Sequence, residues 1–249
     1  LLFTFVLACG SSPDELLEPE IGPYALYELE ITDEDSFFDL PFPNDLRRSE
    51  SGSLVLDHFP NPTKVPLLDR YIMAASELKG FGTTTPVYFR FEAPVDTRTL
   101  PASVEEALSE DSSAFLVDID PLSPERGKRH PVEVFYQPSG TEYWRANTVA
   151  IRPVHGRPLA WGRRYAAVIL RSVKPEEGEG YKRGPALSAL MEGNAEGVRA
   201  EVNALYKQAA SDLEEFGIRT EMILSMSVFT TQDDFLLLEA ARDHLLKTL

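Results

Sequence analysis

The chain has 249 residues, with 24 basic and 40 acidic side chains and a formal net charge of −16. This length fits one large domain or two small ones. A phosphate backbone would repel so acidic a surface, so nucleic acid is excluded as an expected partner. The 19 prolines against 15 glycines favour many short strands with stiff connections over a helical bundle. A single cysteine excludes an intrachain disulfide.

The first eight residues form an apolar run, LLFTFVLA, interrupted only by Thr4. The run is shorter than the roughly 20 apolar residues that cross a bilayer, and it has the length of the hydrophobic part of a signal peptide. It ends at Ala8, and Cys9 is followed by Gly-Ser-Ser and a Pro- and acid-rich stretch. Residues 1–8 are therefore predicted to be the remnant of a signal peptide. The alternative is a short buried strand that contains a free thiol.

The string Val6-Leu7-Ala8-Cys9 resembles a bacterial lipobox. The resemblance implies cleavage before Cys9 and attachment of lipid to its sulfur and to the new amino terminus, so Cys9 is predicted to be the lipidation site. Such a protein would be exported and lipid-anchored to the cell envelope of a Gram-negative bacterium. The outer membrane is favoured because Gly10, rather than Asp, follows the cysteine. The missing Met and basic region at the start lead us to expect a truncated sequence.

Residues 9–36 are polar, acidic and Pro-containing, and are predicted to be a flexible tether. Residues 37–84 contain two extended Pro-rich pieces, LPFPNDL and FPNP, which we expect to dock as irregular, well-packed loops. In the same region the apolar residues over 66–79 fall on one helical face, with Pro66 at the first position and Gly80 just past the end. This region is predicted to place a short helix against the domain that follows.

From residue 85 onward, every second residue is apolar within short runs that are bounded by Pro, Gly, Asp or Ser. The runs begin at Val87, Phe115, Val132, Val149 and Tyr165. Because no helix fits between most of them, βαβ units are excluded, and an antiparallel β-sandwich is predicted over 85–231.

Helical periodicity returns late in the chain. A stripe from Val198 to Phe216, with Gly217 as its cap, predicts a helical insertion at about 185–217. A last strand, ILSMSVFT, follows the insertion. The Thr-x-x-Asp pattern at Thr231 then begins a linker helix over 232–249.

Three of these segments carry a family resemblance: VYFRFEAPVDTRTL, NTVAIRPVHGRPLAWGRRYAAVIL and SVFTTQD. Residues 87–173 resemble the Ig-like domains of bacterial surface proteins. The resemblance implies a mainly β fold, an Ig-like antiparallel sandwich with a helical insertion and flanking helices. The wider order of lipobox, PFPND segment, sandwich and TTQD linker is similar to the N-terminal region of bacterial lipoprotein lipases of the virulence-factor type. That resemblance spans most of residues 1–240 and implies that an α/β-hydrolase domain follows and contacts this region.

The chain itself shows no catalytic pattern. An α/β-hydrolase needs a serine in the turn G-x-S-x-G, and no such string occurs in the sequence. The four histidines read as loop or surface residues, and none is paired at the i, i+4 spacing of a helical metal site. The acid pair Asp118 and Asp120 could contribute to a site for a hard cation, but a solvated strand face explains it more simply. We therefore expect no catalytic residue, metal or cofactor within this chain.

Three hypotheses for the function follow. The first is the non-catalytic N-terminal region of a membrane-anchored lipase or esterase whose catalytic serine lies beyond Leu249. The second is a non-enzymatic binding or structural lipoprotein of the cell envelope. The third, a self-contained enzyme within these residues, is disfavoured because no nucleophile pattern is present. The coding sequence past Leu249 discriminates between the first two.

Overall fold

A computed structural model describes residues 21–233 and 235–248 of the chain. The strands are β1 (Tyr24–Ala25), β2 (Val87–Arg90), β3 (Ala114–Asp118), β4 (Arg129–His130), β5 (Val132–Gln137), β6 (Thr148–Pro153), β7 (Arg164–Leu170), β8 (Lys182–Arg183) and β9 (Ile223–Thr230). The helices are α1 (Pro66–Ala75), α2 (Val104–Leu108), α3 (Pro185–Glu192), α4 (Ala200–Glu215) and α5 (Phe235–Thr248). Across the described ranges, no helix has both the length and the apolarity needed to cross a bilayer.

The strands form two antiparallel sheets and one short parallel pair. One sheet has the order β2-β6-β5, and the other has the order β4-β3-β7-β9. The parallel pair joins β1 to β8. The prediction of antiparallel sheets is confirmed, because every neighbouring pair in the two larger sheets is antiparallel.

The two larger sheets share a core. Val87 and Phe89 from β2 belong to the same buried cluster as Leu116 from β3 and Ala167 from β7. Alternate residues of the four-stranded sheet, such as Val168, point the other way and pack with α3 and α4 in a second cluster. Since adjacent side chains on a strand face opposite sides, this sheet is buried on both faces and forms the middle of three layers.

The helices of the third layer lie where the sequence predicts helical periodicity, between 185 and 217. Pro185 occupies the start of α3 and Gly193, with φ +80°, ends it. Helix α4 buries Val202, Tyr206 and Leu213 toward the sheet. Helices α3 and α4 cover the outer face of β3, β7 and β9. This cover explains why the last strand, ILSMSVFT, has apolar residues at both odd and even positions.

The predicted tether over 9–36 ends earlier than expected. Ala25 and Tyr27 are each only 1% exposed, and β1 pairs with β8 through Tyr24 and Ala25. The backbone N–H of Leu26 also donates to the carbonyl of Arg90. Residues 24–27 are therefore part of the folded domain, because Tyr27 fills a place in its core that the polar composition of the segment did not indicate.

Helix α1 is present, but it contacts the domain less than predicted. Ile72 and Ala75 pack against the core, whereas no residue of the helix is buried and Leu67 and Tyr71 are 54% and 63% exposed. The apolar stripe of the sequence is therefore divided between the domain and solvent.

Substitution along α1 should follow that division. Leu67→Ala is expected to change the free energy of unfolding by less than about 0.5 kcal/mol, as surface substitutions do. Ile72→Ala should lower it by about 1–2 kcal/mol, because Ile72 packs on the core. Urea unfolding followed by circular dichroism measures both variants. Equal losses in the two would contradict this orientation of the helix.

Candidate functional site

The predicted lipidation site, Cys9, lies outside the described residues, as does the predicted signal-peptide remnant. Lipidation at Cys9 therefore stays a prediction from the sequence. Other candidate functions must come from side chains that the fold brings together between 21 and 233.

Serine, histidine and aspartate side chains line one surface depression, which includes Ser123, His130 and Asp118. The Ser123 hydroxyl donates to Oδ2 of Asp118 at 2.7 Å, and Nε2 of His130 lies 2.8 Å from the carbonyl oxygen of Arg157. A nucleophilic serine needs a base, usually an imidazole, that accepts its proton. Here a carboxylate accepts that hydrogen bond, so the arrangement stabilises a turn and is not that of a serine nucleophile.

The neighbouring acids, Asp118 and Asp120, are used by the protein itself. Asp118 is 3% exposed, and its carboxylate accepts the backbone N–H of Asp120 as well as the Ser123 hydroxyl. Burial raises the pKa of the Asp118 carboxyl. The expected solvated face is thus wrong for Asp118, because its side chain closes the turn after β3. In the ranges that the structure covers, no three His, Cys, Asp or Glu side chains are grouped to hold a metal ion.

The PFPND motif contributes buried polar side chains to the core. Asn44 is 0% exposed; its Nδ2 donates to the hydroxyl of Tyr27 at 3.5 Å, and its Oδ1 accepts from the hydroxyl of Tyr206 at 2.8 Å. The Tyr27 hydroxyl donates to that of Tyr206 at 2.8 Å, and the N–H of Val228 reaches the Tyr206 hydroxyl at 3.3 Å. Burial raises the pKa of both tyrosines. This network joins the N-terminal segment, the motif, α4 and β9.

Asp45, the last residue of the motif, binds the end of the last strand. Its Oδ1 accepts the backbone N–H of Thr230 at 3.0 Å, and its Oδ2 accepts the Thr230 hydroxyl at 2.6 Å. Asp45 is only 4% exposed, and Arg48 lies 3.5 Å from its carboxylate. The Ser227 hydroxyl also donates to the carbonyl of Pro43. The motif therefore acts as a brace along β9.

The chain immediately after β9 is held from both sides. On one side, Phe81 donates its N–H to the Thr230 carbonyl and accepts the N–H of Gln232, both at 2.9 Å. On the other side, the N–H of Arg163 donates to the Thr231 hydroxyl at 2.9 Å, and that hydroxyl donates to the Ala160 carbonyl at 2.7 Å. We call this set of contacts to residues 230–232 the exit clamp. It fixes the backbone at the point where the chain leaves the sheet.

An aromatic cleft lies on the outer face of the three-stranded sheet. It is lined by Phe38, Phe42, Phe59, Tyr88, Phe135, Tyr143 and Trp144. Two adjoining depressions of about 260 and 410 Å³ share Tyr88 and Trp144, whose rings meet edge to face at 4.9 Å. Phe135 is 44% exposed and Tyr143 is 38% exposed. Contiguous exposed aromatic surface is typical of interaction sites.

Sequence reasoning missed most of these residues. The spacing of Tyr27 and Tyr206, 179 positions apart, carries no signal of their hydrogen bond. The prediction for this motif relied on its prolines, whereas the side chains that bind the rest of the domain are those of Asn44 and Asp45. An Asn-Asp pair inside an otherwise apolar and Pro-rich segment was the available signal, because buried polar groups need partners.

Comparisons with known proteins add little. No protein-family model matches the chain, and no curated protein matches it significantly. The N-terminal part of the bacterial S-layer protein SbsC is similar with a TM-score of 0.26 and 16% identity, over 48% of this chain and 26% of that chain. The structure of domains 1–6 of SbsC is similar with a TM-score of 0.25 and 15% identity, over 51% of this chain and 17% of that chain. This chain thus spans about a quarter or less of those structures. Likeness at this level does not bear on fold or function.

Proposed function

We propose that this chain is the non-catalytic N-terminal region of a bacterial lipoprotein, anchored through acylated Cys9, that carries an α/β-hydrolase domain beyond residue 249. The observation that supports the proposal best is the exit clamp. A domain that positions a partner on the same chain needs a defined exit direction, and residues 230–232 are hydrogen-bonded on both sides. The role is then mechanical: the folded domain holds the hydrolase at a set orientation away from the membrane.

The proposed Ig-like assignment has support from the shared core. Two antiparallel sheets packed face to face around common side chains are the architecture of such domains, and β2, β6, β3 and β7 contribute to one cluster. The layer of α3 and α4 on the outer face of the second sheet is an elaboration of that plan. It adds the polar network at Tyr206 that holds β9.

The non-catalytic role is supported by the surroundings of the candidate nucleophiles. Ser227 is fully buried and donates to the Pro43 carbonyl, and Ser123 donates to a carboxylate. Neither hydroxyl is placed to attack a substrate, since one is inaccessible and the other lacks a histidine partner. The hydrolytic serine, its histidine base and its oxyanion hole would all lie in the following domain.

The anchor is tested by fractionation. Cys9→Ser should move the protein from the membrane pellet to the soluble fraction, because stable anchoring depends on acyl chains attached at that residue. Ser11→Ala, two positions away, is the matched control and should stay in the pellet. Immunoblots of both fractions after a salt wash give the readout. Retention of Cys9→Ser on membranes would count against lipid anchoring.

The hydrolase is tested by reading the coding sequence past Leu249. A strand followed by His-Gly, then G-x-S-x-G, and then an acid and a histidine would support the proposal. A stop codon close after Leu249 would refute it. In that case the alternative, a binding or structural lipoprotein of the cell envelope, is favoured by the aromatic cleft, since exposed aromatic side chains such as Phe135 and Tyr143 are typical of binding surfaces.

A further inference from the structure

The aromatic cleft contains two hydrogen-bond donors that the protein itself does not use. Within the described ranges, the hydroxyl of Tyr88 and the indole N–H of Trp144 have no hydrogen-bond partner, and neither atom is among the unpaired polar atoms that are buried. Both donors are therefore open to solvent, and their residues line both depressions of the cleft. A few accessible polar groups in an apolar cleft are the usual means of orienting a ligand.

The two rings that carry these donors are held by their neighbours. Tyr88 lies on β2, and its ring meets those of Phe38 at 5.5 Å and Trp144 at 4.9 Å, edge to face in both cases. Trp144 lies in a turn after β5, where its carbonyl accepts the Thr141 N–H at 2.7 Å and its N–H donates to the Thr141 hydroxyl at 3.0 Å. Because these side chains are already packed, a ligand would order few of them, which lowers the entropic cost of binding.

The charges around the cleft restrict the class of ligand. No Asp or Glu is among the described residues that line the two depressions, and Arg152 is their only charged residue. Its guanidinium is paired with Glu133 at 2.7 Å, and its Cζ lies 4.7 Å from the centre of the Phe135 ring. An anion would therefore meet a cation that is already paired. A sugar, whose hydroxyls donate as well as accept, would meet no carboxylate acceptor.

We infer that the aromatic cleft binds an extended, proline-rich peptide, with prolines in the two depressions and its carbonyls on the Tyr88 hydroxyl and the Trp144 indole N–H. Proline has a carbonyl but no N–H, so such a peptide brings acceptors without donors that would stay unpaired in an apolar cleft. Its carbonyls are free because the polyproline II conformation has no internal hydrogen bonds, whereas a helical ligand uses its own carbonyls. Grooves lined by aromatic side chains are a recurrent mode of recognising such peptides.

The inference does not depend on the proposed function, because binding is a property of the present chain whether or not a hydrolase follows.

The experiment is calorimetric titration of the full chain with end-blocked decaproline at neutral pH. We expect saturable binding at one site, and no measurable binding of an end-blocked Gly-Ser peptide of the same length. Tyr88→Phe removes the hydroxyl and keeps the ring, so it should weaken decaproline binding about fivefold, as the loss of one hydrogen bond does. Tyr71→Phe is the matched control and should bind as the parent does, because Tyr71 is 63% exposed on α1 and does not line the cleft.

A second variant tests the apolar part of the cleft. Phe135 is 44% exposed, so Phe135→Ala should fold, as judged by circular dichroism, and should weaken decaproline binding about tenfold. Leu122→Ala is its control, since Leu122 is 81% exposed and lies outside the cleft. If one of the two cleft variants does not fold, the other decides.

The inference is overturned if the parent chain does not bind decaproline or binds the Gly-Ser peptide equally well. It is also overturned if either folded cleft variant binds decaproline within about twofold of the parent. Tighter binding of a neutral oligosaccharide such as maltohexaose than of decaproline would assign the cleft to a glycan instead and would likewise overturn it.

Discussion

Replacing Asp45 with alanine is expected to lower the free energy of unfolding by about 3 kcal/mol. The carboxylate is 4% exposed and accepts two hydrogen bonds from Thr230, one from the backbone N–H and one from the hydroxyl. Alanine would leave both donors unsatisfied in a site that little water reaches, and it would remove the carboxylate near Arg48. Urea denaturation, with the midpoint and slope both recorded, measures the loss.

The control for this substitution is Asp111→Ala. Asp111 is exposed, and its replacement should cost less than about 0.5 kcal/mol. Asp45→Asn provides a second comparison, because the amide keeps the shape and one acceptor but loses the charge. We expect its stability to fall between the parent and the alanine variant. A loss in Asp45→Ala no larger than that in Asp111→Ala would show that the motif does not brace β9.

The antiparallel sheets could be predicted because the signal is local. In β2, Val87 and Phe89 alternate with partly exposed Tyr88 and Arg90, as expected of a strand with one face in the core. The same rule fails for β9, where residues of both parities are buried. A sheet covered on both faces loses its alternation, and the cause is α3 and α4, which approach from elsewhere in the chain. The position of the four-stranded sheet between the other sheet and the helices could therefore not be predicted from the strand patterns alone.

The polar contacts of the candidate site are long-range, and for that reason the sequence did not reveal them. Asp45 and Thr230 are 185 residues apart, and Ser227 and Pro43 are 184 apart. No spacing rule links such pairs. Composition also misled the prediction for residues 9–36, since polar and acidic neighbours concealed Tyr27, a core residue that is 1% exposed. The prediction for Cys9 differs, because it depends only on the neighbouring sequence. Cys9 lies outside the described residues, so the structure does not test this prediction.

The exit clamp connects the fold to the proposed function, and it depends on close approach of two backbones. Gly80 lies beside residues 231–232, and a Cβ added there would come within 2.6 Å of the Thr231 carbonyl carbon and the Gln232 nitrogen. A real Cβ does not come that close to atoms to which it is not bonded, so the two segments would have to separate. The bridge between Phe81 and Thr231 would be lost or lengthened as a result.

Gly80→Val is therefore expected to cost about 3 kcal/mol of stability, the upper part of the usual range for overpacking. The amides of Thr231 and Gln232 should also exchange with solvent much faster, because their hydrogen bonds depend on that approach. Gly140→Ala is the matched control, since its added Cβ would meet nothing closer than 3.5 Å. Hydrogen exchange resolved by residue decides the case. Unchanged protection at 231 and 232 in Gly80→Val would mean that the exit is not held by this contact, and the orientation argument for a following domain would lose its main support.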